Sequence, residues 1–319
     1  VATSTDLPAR TRPVAGALAA LAGVIMWGSF TVLARKVPEL DGLGLAFHRI
    51  WLGAVVVVIA LYAGGGRLTW NVLKVSAAGG VLFALDVSLF FTALKETTIT
   101  NANIISSIQP ILIALVVGKL FGERLSKGFF VWTAVAVGGV VVVILGSKAG
   151  NEGQWSLHGD VLALLATISW AGFFVASKQA RKTLTSLEYL AGLLVVGFLT
   201  VAPITLLTGR SLHVDSWQSW AYIAAIAVVS GGVGHWLMNW AHGHIPLAMA
   251  SLLTLAIPVA SVITAVLVLD ESVGLQAVIG MAIVLAALAA VILTSPVDVD
   301  VDEAQLEGAT ADPGCGEAD

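Results

Sequence analysis

The sequence predicts an all-α membrane protein with ten transmembrane helices arranged as two inverted five-helix repeats. Three observations carry this. Of 319 residues, 58% are hydrophobic and only 11% charged, with a mean hydropathy of +0.94; a soluble domain carries about 25% charged residues. Ten apolar runs each reach the roughly 20 residues that a bilayer core requires. A proline–glutamate spacing of thirteen residues occurs twice, at Pro110/Glu123 and Pro258/Glu271, and a constant offset (258 minus 110, 271 minus 123) superimposes the two.

The runs cover about 14–34, 43–63, 73–94, 101–120, 128–146, 159–178, 187–207, 218–241, 247–268 and 274–294. Lipid satisfies no backbone polar groups, so runs this long and apolar are expected to be helices, and the alternation of a β-barrel is absent. The first run is too long for the core of a cleavable signal peptide and is read as a retained helix. Its neighbours follow after short connections. The polar stretch around Gly150–Ser156 falls between the fifth and sixth runs. It divides a first repeat (14–149) and a linker (150–157) from a second repeat (158–295), with segments 1–13 and 296–319 outside them.

Eight of the twenty acidic residues follow Pro296, where no basic residue lies. This end is expected to be a disordered acidic tail. With the N-terminus inside, ten Lys and Arg fall on inner segments and six on outer ones. That bias places both termini in the cytoplasm of a cell (inner or plasma) membrane. The single cysteine, Cys315, excludes an intrachain disulfide and a cysteine metal site.

The repeat extends beyond its two anchor residues. Ala93 to Leu125 aligns without a gap on Ala241 to Val273, and Met26-Trp27-Gly28-Ser29-Phe30 matches Ser169-Trp170-Ala171-Gly172-Phe173. Five helices per half is an odd number, so the second half inserts upside down. Inverted halves are a route to alternating access around a central site.

Polar residues inside the runs are the candidate site. Asp86 is the only carboxylate deep within a run; charge at that depth is expensive and points to substrate or proton handling, against a structural hydrogen bond. His235 lies one residue from the symmetry position of Asp86, and Asn239, four residues on, is expected to share its face. Asn103 and Gln109 precede Pro110, and the two prolines are expected to kink their helices and free carbonyls. Packing between helices is the alternative for the amides and serines. Trp27 and Trp236, with Trp170, Trp240, Phe90 and Phe91, are candidates for an aromatic wall that suits apolar side chains or cations; interfacial tryptophan is the alternative. Glu123 and Glu271 are read as helix caps or loop anchors, His242 and His244 as solvated loop residues, and Arg49 as an interfacial arginine that snorkels.

Phe91-Thr92-Ala93-Leu94-Lys95, Pro110 and Gly122-Glu123-Arg124-Leu125-Ser126, with Pro258, Asp270-Glu271 and Gln276-Ala277-Val278-Ile279-Gly280, resemble the drug/metabolite transporter superfamily and its EamA-type exporters. The resemblance covers about 14–294; Asp270 departs from it, where the loop usually carries Gly. It implies two five-helix bundles, a cavity lined mainly by the third, fourth, eighth and ninth helices, and often export of amino acids or related metabolites. The reading is therefore a secondary exporter of small metabolites, with protons as the candidate coupling ion. No cofactor, metal, nucleic acid or ATP is expected. Two bundles in one chain suffice for a monomer, with a homodimer the alternative. An intramembrane enzyme or a membrane sensor is the competing class, but the chain has no Walker A, His-Glu-x-x-His or Gly-x-Ser-x-Gly pattern.

Overall fold

The computed structural model describes residues 13–34, 36–97, 99–146, 156–269 and 273–294. The expectations for Asp270, Glu271, Cys315, the acidic tail and most of the linker lie outside these residues. All ten expected spans are helical and long enough to cross a membrane. Seven are unbroken in the expected way. Among them are α1 (Pro13–Ala34), α2 (Gly42–Ala63), α3 (Trp70–Glu96), α6 (Lys127–Gly146) and α7 (Leu157–Ala180). So are α8 (Ser186–Leu207), which carries Pro203 in its interior, and α13 (Leu275–Thr294).

The other three spans are composite. The fourth splits into α4 (Ile99–Ser106) and α5 (Gln109–Phe121), with Pro110 in the first turn of α5. The eighth is α9 (Trp217–Ala225), a π-helical stretch over Ile226–Gly234, and α10 (His235–His242). The ninth is α11 (Leu247–Leu253), a 3₁₀ turn over Thr254–Ala256, and α12 (Ile257–Leu269), with Pro258 as its second residue. Each proline thus opens the second half of a broken helix, where its missing N–H is least costly. The π stretch holds Gly231, Gly232 and Gly234, poor helix formers that let the backbone widen.

Short connections carry the capping residues. Asp41, Thr69, Ser156 and Ser216 each accept from a first-turn N–H, and Thr185 with Glu188 forms a reciprocal capping box. Gly122 ends α5 in the left-handed region, at φ 67°. α3 packs against α7 and α8, α6 against α13, and α1 against α12. The α6–α13 contact depends on glycine: a Cβ on Gly280 would sit 2.5 Å from the Val143 nitrogen, and one on Gly146 2.5 Å from that of Ala277. Small residues allow this approach, which is the main source of helix association in lipid. Outward faces are apolar, as at Leu115, Leu199 and Leu267.

Glu123 ties the two repeats together. It does not cap the helix that follows it. Its buried carboxylate reaches the start of α11, accepting from the Leu247 nitrogen at 2.7 Å and the Ala248 nitrogen at 3.1 Å. It also pairs with Lys178 of α7 at 2.9 Å, and Lys178 donates to the Ile245 carbonyl at 3.0 Å. Two unpaired helix amides and one ammonium therefore converge on one carboxylate. Replacing Glu123 by Ala leaves the two amides without that acceptor and Lys178 with only the Ile245 carbonyl. We expect a loss of about 1–3 kcal/mol in reversible unfolding in mixed micelles, and an unchanged midpoint would refute the tie.

Candidate functional site

The two halves enclose a central cavity of about 250 Å³. This is close to the lower end of small-molecule sites, roughly 300–1,000 Å³. Its walls come from the third, fourth, eighth and ninth spans, as the family pattern implies, and also from the first, second, fifth and sixth.

Six aromatic rings line it: Trp27, Phe30, Phe83, Phe90, Trp170 and Phe173. Phe83 and Phe173 are 5.6 Å apart between centroids. His235 is set among them, 4.7 Å from the Trp27 ring and 5.3 Å from Phe83. Its Nδ1 lies 3.1 Å from Trp27 Nε1 and 2.9 Å from the Ser230 carbonyl. These contacts demand opposite protonation of one nitrogen. With Nδ1 protonated, His235 donates to Ser230; with Nδ1 bare, it accepts from Trp27. Either tautomer holds the ring in place.

Asp86 and Arg49 supply charge to the cavity. Arg49 corrects the snorkelling expectation. It lies two turns inside α2 and is 8% exposed, with its guanidinium 4.8 Å from the Phe30 centroid and 5.7 Å from Phe83. The signal was present in the sequence, since Arg49 falls well inside the run that begins at 43. Arg49 and Asp86 feel each other's charge yet form no direct ion pair.

Of the other expected residues, Trp27, Asn103 and Pro258 line the cavity, and Asn239, Gln109, Trp236 and Pro110 do not. Asn239 is wholly buried: its amide oxygen accepts from Ser177 at 2.8 Å and its carbonyl from Arg181 at 3.1 Å. It is one turn further along α10 than His235, where α7 covers the helix and the cavity has closed. Gln109 joins the two broken spans, its Oε1 3.3 Å from Thr254 Oγ1. The Thr254 hydroxyl already donates to the Ser251 carbonyl at 2.6 Å, and Gln109 Nε2 has no partner; the reversed amide, donating to Thr254, satisfies both groups better. Trp236, 37% exposed, points outward. Trp240 stacks on His244 with centroids 3.7 Å apart, away from the cavity, and the side chain of Phe91 lies outside the described residues. Pro110 is buried at the start of α5.

His242 also departs from expectation. It is buried at the end of α10, with Nδ1 2.7 Å from the Ser177 hydroxyl. That hydroxyl donates to Asn239, so His242 must donate to it. Together with Glu123, Lys178 and Arg181, this polar cluster lies on the side of the molecule on which α1 begins. On the opposite side Asp160 of α7 accepts from Thr97 at 2.7 Å and from Asn101 at 3.3 Å, holding the α3–α4 corner.

Comparison with known proteins agrees with this architecture. The model of the EamA-like transporter family matches residues 14–145 and again 157–293. The uncharacterized transporter YetK of Bacillus subtilis is 25% identical over 278 residues, covering 85% of this chain and 83% of YetK. The aromatic amino acid exporter YddG of Ancylobacter novellus is 29% identical over 196 residues, covering 59% of this chain and 64% of YddG. One crystal structure superimposes with a TM-score of 0.73 at 20% identity, over 88% of this chain and 97% of its own, a likeness of fold. Two consecutive matches, ten spans and a cavity between the halves lead to one conclusion: the chain is a multi-pass membrane protein of the EamA-like transporter family.

Proposed function

We propose that the protein is a secondary exporter of small amphiphilic metabolites, amino acids among them, that works by alternating access with a proton carried at Asp86. The observation that carries this reading is the shared placement of Asp86 and His235 on the wall of one aromatic cavity between the two halves. Rings take up an apolar moiety, while the polar groups orient the rest. The similarity to a protein named as an aromatic amino acid exporter supports the same class of cargo. The bias of Lys and Arg supports an inner or plasma membrane location with both termini in the cytoplasm.

In this reading the cavity faces one side while the Glu123–Lys178 cluster seals the other. Rocking of the repeats breaks that seal and forms its counterpart opposite, around a site that stays near the midplane. Protonation of Asp86 removes a buried charge, so the unloaded protein crosses between states more easily protonated than ionised. Two bundles in one chain make a monomer sufficient for this cycle.

Two variants test the assignment. In proteoliposomes, Asp86→Asn should abolish the response of flux to a pH gradient while the protein stays folded; an intact response would remove Asp86 from coupling. His235→Ala deletes a ring in contact with Trp27 and Phe83, and should weaken cargo binding by about tenfold, on the order of 1.4 kcal/mol. Wild-type affinity in that variant would leave His235 as packing alone.

A further inference from the structure

The buried Arg49 adds something that proton transfer does not use. A fixed cation and a fixed anion share one small cavity without touching, and among the described residues neither forms a hydrogen bond or ion pair with any side chain. The guanidinium is held over Phe30 and Phe83, and it lies against the π-helical stretch, where a Cβ on Gly231 would be 3.6 Å from Arg49 Nε. In that stretch Ser230 also faces the cavity, and its buried hydroxyl has no hydrogen-bond partner. Asp86 lies one turn beyond Phe83 on α3, on the same face.

From this geometry we infer that Arg49 and Asp86 are a two-point reader of zwitterions: Arg49, with Ser230, takes a carboxylate and Asp86 takes an ammonium, while the aromatic wall receives an apolar side chain. The proposal rests on the transport reading and adds the residue that decides specificity. Its argument is charge balance. A lone cation in this cavity meets Arg49, and a lone anion meets Asp86, each a like-charge contact in an apolar surround where screening is weak. A neutral molecule leaves both protein charges unmatched. A zwitterion pairs with both at once, and a planar guanidinium suits the two oxygens of a carboxylate. A proton and an ammonium then compete for the Asp86 carboxylate, which gives exchange of one for the other.

The test compares three ligands of one shape on the reconstituted full chain: L-phenylalanine, L-phenylalaninamide without the carboxylate, and 3-phenylpropionate without the ammonium. Binding is read by competition against a radiolabelled apolar amino acid chosen from a panel. Each truncated ligand should bind wild type roughly thirtyfold or more weakly than phenylalanine, the loss typical of an unpaired buried charge. In Arg49→Gln the amide should compete as well as the amino acid; in Asp86→Asn the phenylpropionate should. Equal competition in wild type overturns the proposal, as does an Arg49→Gln variant that keeps its preference for the carboxylate. If Arg49→Gln fails to fold, the wild-type ligand series decides alone. Binding of no apolar amino acid also overturns it; flux of another metabolite in the same vesicles would leave the transport reading intact, and absence of all flux would remove both.

Discussion

Inside a bilayer every backbone amide and carbonyl has to find its partner within the protein, and the fold is organised around the places where that is hardest. Breaks at Pro110 and Pro258 and the π-helical stretch before His235 all interrupt the regular helical ladder. All three lie at the centre, against the cavity or the opposite repeat, and the outer faces stay continuous helix. The start of α11 is a fourth such place. There the exposed amides of a short helix are met by Glu123 from the other half. A local backbone requirement becomes a cross-repeat contact.

The charged groups obey the same economy. Lys178 is paired and hydrogen-bonded, and both oxygens of Glu123 accept hydrogen bonds. Such pairs contribute little net stability against apolar packing but are costly to break singly. Arg49 and Asp86 differ in kind. They line a cavity, and the Arg49 guanidinium lies over the rings of Phe30 and Phe83. The first group of charges joins elements of the two repeats, and the second lines the cavity between them.

Much of the plan was legible in the sequence because its causes are local. Run length and apolarity fix the spans, and the doubled proline–glutamate spacing marks the repeat. Asp86 and His235 stood out because a polar group at that depth has few explanations. What was not legible depended on neighbours distant in sequence. Asn239 follows His235 by one turn, yet α7 covers one and leaves the other facing the cavity. Trp27 and Trp236 both lie inside apolar runs, yet Trp27 faces the cavity and Trp236 is 37% exposed on the outside. Arg49 lies deep enough in its run to be legible as buried, but only the packing of α2 against the other elements shows that it faces the cavity.

The sequence by itself determined the class, the ten spans, the doubling and hence its inversion, since hydrocarbon thickness and helix parity leave no choice. Tertiary structure decided which polar side chains share a space. Helix periodicity sets the face a residue occupies, but only the packing of the other repeat determines whether that face meets lipid, a neighbouring helix or the cavity. For that reason Glu123 proved to cap a helix 124 residues away, and Arg49 joined Asp86 in the centre of the molecule.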